Sequence, residues 1–323
     1  MSSWYTTASA SSGVLAAPMR SLAKVGAVGD SRFSFSLFGW GKYMLEKIRE
    51  LLRLFRKGVD YTVRSEALLR KILEMRILQS LSETPRFKDP LRLLSSAYKV
   101  YSQNQEDGMI AEVFRRIGTT SKRFIEFGVE DGLECNSAFL LLQGWNGAWI
   151  EGSPRNASNA RTHFKDYPVE VANTYITVEN ADALITRLAG GGELDMLSID
   201  IDTIDYWIWD AIKTVKPRLV VIEYNATFPP FVKKTVAHDP TMQWDGSNFS
   251  GASLGALEAL GRAKGYSLVG CSLAGVNAFF VRDDLVGDKF CAPFTAMNHY
   301  EPPRFVLAGS FGHHAGMGRW VDV

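Results

Sequence analysis

Cysteine is scarce in this sequence: Cys135, Cys271 and Cys291 are all that 323 residues contain. Three scattered cysteines build neither a disulfide framework nor a cysteine-rich zinc site, so a reducing, cytoplasmic setting is the simplest expectation. Net charge is nearly absent as well. Lys and Arg total 36 against 35 Asp and Glu, which excludes a global basic field for nucleic acid and an acidic solvating tail. No stretch reaches the roughly 18 consecutive apolar residues of a membrane span. What remains is ordinary globular composition, 46% hydrophobic and 22% charged. The length suits one large domain or two modest ones.

Residues 1–40 are rich in Ser, Ala and Gly and contain one acid, Asp30. The run Gly13–Pro18 is too short and too weakly apolar for a secretory core, and the segment reads as a flexible leader. A helical extension is expected over 41–100. Met44, Leu45, Ile48, Leu51, Leu52, Phe55 and Val59 recur at three- and four-residue steps, which predicts a helix over 42–57. Leu68, Leu69, Ile72, Leu73, Met75, Leu78 and Leu81 predict a second over about 65–82. Residues 42–57 hold six basic side chains and two acidic ones. One reading packs these helices on the main domain or on a second subunit, making the protein a homo-oligomer. The other lays the basic helix on an anionic membrane surface, at the inner face of the membrane.

Residues 101–285 alternate strand and helix. Short apolar, β-prone runs occur at Phe124–Phe127, Gly147–Gly152, within Val169–Val178, at Leu194–Ile201 and at Pro217–Glu223. Helical stretches fit between them, notably about 206–214 and 252–264. Apolar strands separated by helices predict a parallel sheet covered on both faces. Tyr266–Gly270 and Val276–Val281 lie too close together for a parallel crossover, so the last pair is expected to be antiparallel. Residues 286–323 then form a C-terminal extension expected to pack on the domain.

In open α/β sheets, ligands bind beyond the carboxyl ends of the strands. Each strand delivers an acid there. The first ends in Glu126-Phe127-Gly128-Val129-Glu130-Asp131-Gly132, a glycine-containing turn that admits close backbone approach, with the next helix expected to offer free N–H groups. The second ends in Glu151, placed to accept both hydroxyls of a ribose. The fourth ends in Asp200-Ile201-Asp202 and the fifth in Glu223-Tyr224-Asn225. A pyrophosphate would be repelled by Glu126, Glu130 and Asp131, whereas a ligand bearing a sulfonium and an amino group would suit them.

With these residues the sequence resembles the class I S-adenosylmethionine methyltransferases, and within them the FkbM-type enzymes. The likeness rests on Phe124–Gly132, Gly144–Pro154, Leu194–Trp209, Leu219–Pro229 and Gly251–Val281. It implies a Rossmann-like α/β fold, mostly parallel with a final antiparallel strand. It implies that Glu126, Gly128, Glu130 and Gly132 shape the cofactor turn, that Glu151 holds the ribose, and that Asp200 lies at the methyl-transfer end. The middle glycine of the general turn is replaced by Glu130. A sugar or glycan-like acceptor, methylated on oxygen, is implied by the same resemblance.

Asp200, Asp202, Glu223 and Asn225 are also oxygen ligands of the kind a divalent cation such as Mg²⁺ selects, with Asp200, Glu223 and Asn225 as the expected metal set. The competing role for them is direct hydrogen bonding to acceptor hydroxyls. O-methylation needs a proton acceptor. Asp200, Asp202 and His238 are the candidates, His238 because it lies in the long segment Pro229–Ser250 after the fifth strand. Trp207, Trp209 and Trp244 are candidates for an apolar or sugar-stacking wall. His313 and His314 receive no role. Two other classes of function fit the same residues: a non-catalytic binding or scaffold module that retains the fold, and a metal-dependent hydrolase built on Asp200, Asp202 and Glu223.

Overall fold

The computed structural model describes residues 37–244 and 247–304. The leader through residue 36, His313 and His314 lie outside the described residues. The chain divides into two units, Met1–Leu69 and Arg70–Val323.

The helices are α1 (Leu37–Ser82), α2 (Pro85–Lys88), α3 (Glu106–Ile117), α4 (Ala138–Leu142), α5 (Pro154–His163), α6 (Ala181–Ala189), α7 (Asp205–Ala211), α8 (Leu254–Lys264), α9 (Asp283–Val286) and α10 (Ala296–His299). The strands are β1 (Arg123–Phe127), β2 (Asn146–Glu151), β3 (Val169–Asn173), β4 (Met196–Ile199), β5 (Leu219–Glu223), β6 (Tyr266–Cys271) and β7 (Asn277–Arg282).

The expected break between two N-terminal helices does not occur: α1 is one helix of 46 residues. Gly58 weakens a helix by about 1 kcal/mol relative to Ala without ending it. Thr62 Oγ1 donates back to Gly58 O at 2.9 Å, within the helical ladder. Among the described residues no helix is long and apolar enough to cross a membrane. At its carboxyl end Ile77, Leu78 and Leu81 pack against Leu94, Leu273, Ala274 and Val276.

The sheet has seven strands in the order β3-β2-β1-β4-β5-β7-β6. β1 pairs in parallel with β2 and β4, β2 with β3, and β4 with β5. β7 runs antiparallel to both β5 and β6. This is the Rossmann-like class I methyltransferase arrangement, with the reversed strand between β5 and β6. Alternation along each strand builds two cores. Ile125, Ile150, Leu197, Ile199, Val220 and Ile222 face α6, α7 and α8. Phe124, Trp149, Met196, Leu219, Val221 and Phe279 face α3, α4 and α5. Burial on both faces is why these strands read as continuous apolar runs.

Helix ends follow local chemistry. Ser153 caps α5, with Pro154 as its first residue, and Ser253 caps α8, which Gly265 closes at φ +83°. The described part of the C-terminal extension is fastened to the sheet: Tyr224 Oη donates to Glu301 O at 2.6 Å, and Arg86 pairs with Glu301 at 2.8 Å. The three cysteines are buried and free.

Candidate active site at the carboxyl ends of the strands

The turn after β1 is held from beneath by Glu126. Its buried carboxylate accepts from Asn136 N at 2.8 Å, from Ser137 N at 2.9 Å and from Ser137 Oγ. Trp149 Nε1 donates to Ser137 Oγ at 2.7 Å, and Asn136 Nδ2 donates to Ser198 Oγ at 3.0 Å. Burial pushes the Glu126 carboxyl above its ordinary range, against the pull of these donors. The N–H groups just before the next helix are engaged within the turn. α4 starts only at Ala138, and the N–H groups of Asn136 and Ser137 are spent on Glu126.

Gly128 lies at φ +75°, and a Cβ there would sit 1.7 Å from the carbonyl oxygen of Asp200. No other residue fits, so the loops after β1 and β4 touch backbone to backbone. Gly132, at φ +84°, is wedged against Phe164 and Trp149. Glu130 adopts φ +50° without being glycine, as does Asp202 at +63°. These two follow β1 and β4, while a third such residue, Lys122 at φ +49°, precedes β1 at the other end of the sheet.

Glu151 closes β2 and lies against the same turn. Its Oε2 accepts from Glu130 N at 2.8 Å and its Oε1 from Ser153 N at 2.7 Å. The side chain is buried, which raises its carboxyl above the ordinary range. Each oxygen keeps a second lone pair beyond its backbone donor.

Asp200, Asp202 and Glu223 converge, with one carboxylate oxygen from each lying within 4.8 Å of the others. Burial and the repulsion of Glu223, Asp202 and Asp205 push the Asp200 carboxyl well above its usual range. Burial, then the charges of Asp205 and Asp202, push Glu223 up to about 8. Asp205 opens α7, and its side chain serves the loop behind it. It is fully buried and accepts from Ile201 N at 2.9 Å and Thr203 N at 3.1 Å, tying down the loop that carries Asp202. Burial pushes it up to about 6.

Asn225, grouped with Asp200 and Glu223 in the sequence reading, has its amide engaged elsewhere. Its Nδ2 donates to Asn248 O at 2.8 Å and Ser250 O at 3.0 Å, while Oδ1 accepts from Thr227 N at 3.1 Å and from Thr227 Oγ1. Among the Asp, Glu, His and Cys side chains described, Asp202 is the third member of the cluster. His238 is exposed, with its ring 6.1 Å from that of Trp207, and is not among the converging groups. Trp209 is core, packed on Tyr266 and Phe280. Trp207 is half-buried and donates to Val236 O at 2.8 Å. Trp244 donates to Ser247 O at 2.6 Å.

One polar group behind the site was not foreseen. Asn277 is the register partner of Glu223. Its Nδ2 donates to the buried Glu106 Oε1 at 3.2 Å, as does Asn104 Nδ2. These residues are 171 positions apart, and no local pattern joins them. A cavity of about 230 Å³ also exists, but at the amino ends of β5 and β6, lined by Trp209, Lys213, Lys216, Lys264 and Tyr266.

No family model matches the chain, and no curated protein matches it. Among solved structures it is similar to the N-terminal domain of EvdMO1 with SAH bound, at 14% identity and a TM-score of 0.39, covering 66% of this chain and 94% of that one. An O-methyltransferase family protein from Burkholderia thailandensis is 13% identical, with a TM-score of 0.35 and coverage of 55% and 58%. The glycopeptide N-methyltransferase MtfA complexed with sinefungin is 12% identical, with a TM-score of 0.34 and coverage of 62% and 98%.

Proposed function

We propose that this protein is an S-adenosylmethionine-dependent O-methyltransferase of the FkbM type, acting on a hydroxyl of a sugar or glycan-like acceptor. The observation that carries the reading is the ring of acids at one end of the sheet. Glu151 stands at the end of β2, the place from which an acid reaches a ribose. Glu130 and Asp131 line a turn that suits a cation better than a phosphate. Asp200 sits directly behind Gly128, where the two loops meet.

When bound, S-adenosylmethionine supplies an electrophilic methyl group on sulfur. The chain's own part is to hold the acceptor hydroxyl in line with that methyl and to take its proton. As the new O–C bond forms and the C–S electron pair returns to sulfur, the hydroxyl proton passes to a carboxylate. Asp200 and Glu223 suit this work, because their raised proton affinity brings a carboxylate near neutrality. They are favoured over the exposed His238. Asp202, held at the rim by the Asp205 loop, is placed to accept a hydrogen bond from a neighbouring acceptor hydroxyl.

The same three carboxylates supply the all-oxygen donor set that a hard divalent cation takes, and a double positive charge would relieve their repulsion. The residues present therefore fit Mg²⁺. Asp200, Asp202 and Glu223 would hold it, and it would lower the pKa of a bound hydroxyl.

Calorimetric titration of the purified protein with S-adenosylmethionine tests the cofactor assignment. Glu151→Ala should weaken binding about tenfold or more, the worth of a hydrogen bond to a charged group. Unchanged affinity would remove Glu151 from the ribose. Absence of any binding by the unaltered protein would overturn the whole reading in favour of a metal-dependent hydrolase or a scaffold module, which a thermal shift with Mg²⁺ alone would tell apart.

A further inference from the structure

The sixteen residues 42–57 were singled out by their basic amphipathic pattern, and catalysis does not use them. Along α1, Ile48, Leu51, Leu52, Phe55 and Val59 fall on one stripe about 100° wide at 3.6 residues per turn. All five are between 45% and 71% exposed. Arg49 and Arg56 border this stripe on one side and Lys47 on the other, at about 80–100° from its centre. Glu46 and Glu50 fall on the back of the helix, from where Glu50 reaches Lys47 at 2.9 Å in an exposed pair, leaving Arg49 and Arg56 as the main basic border.

We infer that this face of α1 docks flat on an anionic lipid surface, its apolar stripe entering the headgroup boundary and its flanking Lys47, Arg49 and Arg56 meeting lipid phosphates and carboxylates. Charge complementarity selects this occupant over a second copy of the chain. In a pair of these helices the flanks meet across the seam, and whether parallel or antiparallel they would set basic side chains against basic side chains. The stripe is also too short for a coiled coil, which wants three to four heptads of sustained apolar positions. Thr62 and Glu66 interrupt its line immediately after Val59. An interfacial helix needs neither length nor a partner helix: a short apolar stripe with a basic border suffices. The inference stands apart from the methyltransferase reading, since it uses none of the strand-end residues.

The test is co-sedimentation of the full chain with phosphatidylcholine vesicles made with and without phosphatidylserine. Binding is expected to the phosphatidylserine vesicles only, and to fall as salt is raised. Arg49→Gln and Arg56→Gln should each lower the partition about fivefold. Phe55→Ala should lower it roughly tenfold or more. All three positions lie on an exposed face, so circular dichroism and the thermal midpoint should stay at the unaltered values and the loss cannot be charged to misfolding. No sedimentation with phosphatidylserine vesicles would overturn the inference. So would binding that ignores both lipid charge and salt. A concentration-dependent dimer in analytical ultracentrifugation that Phe55→Ala dissolves would also overturn it, because the face would then belong to a second copy.

Discussion

At the amino ends of β4 and β5, Asp195 meets Arg218 at 3.2 Å, Glu193 meets Arg282 at 2.7 Å, and Asp210 meets Lys213 at 3.0 Å. At the carboxyl ends, Asp200, Asp202 and Glu223 face one another instead. Among the described residues, none of the ion pairs includes Asp200 or Glu223. One end of the sheet compensates its charges and the other accumulates them. A fold gains nothing from crowded, desolvated carboxylates. Their concentration at the end where α/β sheets bind ligands is what supports the proposed site. The near-zero net charge of the chain conceals this division, because basic excess elsewhere, such as the six basic against two acidic side chains of residues 42–57, offsets it in the total.

If the contrast is right, matched substitutions at the two ends should do opposite things. Asp200→Asn should reduce methyl transfer about 10²–10⁴-fold, the usual worth of a general base, and leave the thermal midpoint unchanged or raised. A variant that kept its turnover would return the role to another residue. Asp195→Ala should cost about 3–5 kcal/mol of stability, because Thr120 N and Lys122 N would lose the buried carboxylate they donate to and Arg218 would keep only Glu193 as an ion-pair partner. Denaturant unfolding reads this directly, and a loss below about 1 kcal/mol would blur the contrast.

Glu223→Gln sharpens the comparison through pH. Glu223 is pushed up to about 8 from an ordinary 4.5. The folded state therefore holds this proton more tightly than the unfolded state does, and stability should fall as pH rises from about 4.5 to about 8. Gln has no proton to lose, so the variant should flatten that decline across the window from about 4.5 to about 8. Thermal melts across this window check it, and parallel curves for the two proteins would show that Glu223 ionises normally. The smallest effect belongs to Lys213→Ala at the other end. Its exposed pair with Asp210 should be worth no more than about 0.5 kcal/mol.

Much of this architecture was legible beforehand. Apolar runs such as Leu219–Ile222 announce strands buried on both faces, and the short gap between Cys271 and Asn277 forces the antiparallel pair. The acids at the strand ends were visible for the same reason, since each follows its strand directly. What escaped notice depends on contacts that sequence spacing does not encode. Asp205 is the first residue of α7, yet its carboxylate ties down the loop behind it. Asn225 looked like a third ligand, but its amide braces the segment that returns at Asn248 and Ser250. The 42–57 and 65–82 patterns looked like two helices, and one helix runs through both. The Glu106–Asn277 hydrogen bond joins the start of α3 to the start of β7, a pairing that only the closed fold creates.

The contact of Gly128 with the Asp200 carbonyl has a hereditary side. With 1.7 Å between a would-be Cβ and that oxygen, neither loop can drift alone: a side chain gained after β1 would have to be answered by a rebuilt backbone after β4. The two segments, some seventy positions apart in the chain, must therefore change together or not at all, and descendants of this protein can vary their specificity only in the parts of the rim that this joint does not reach.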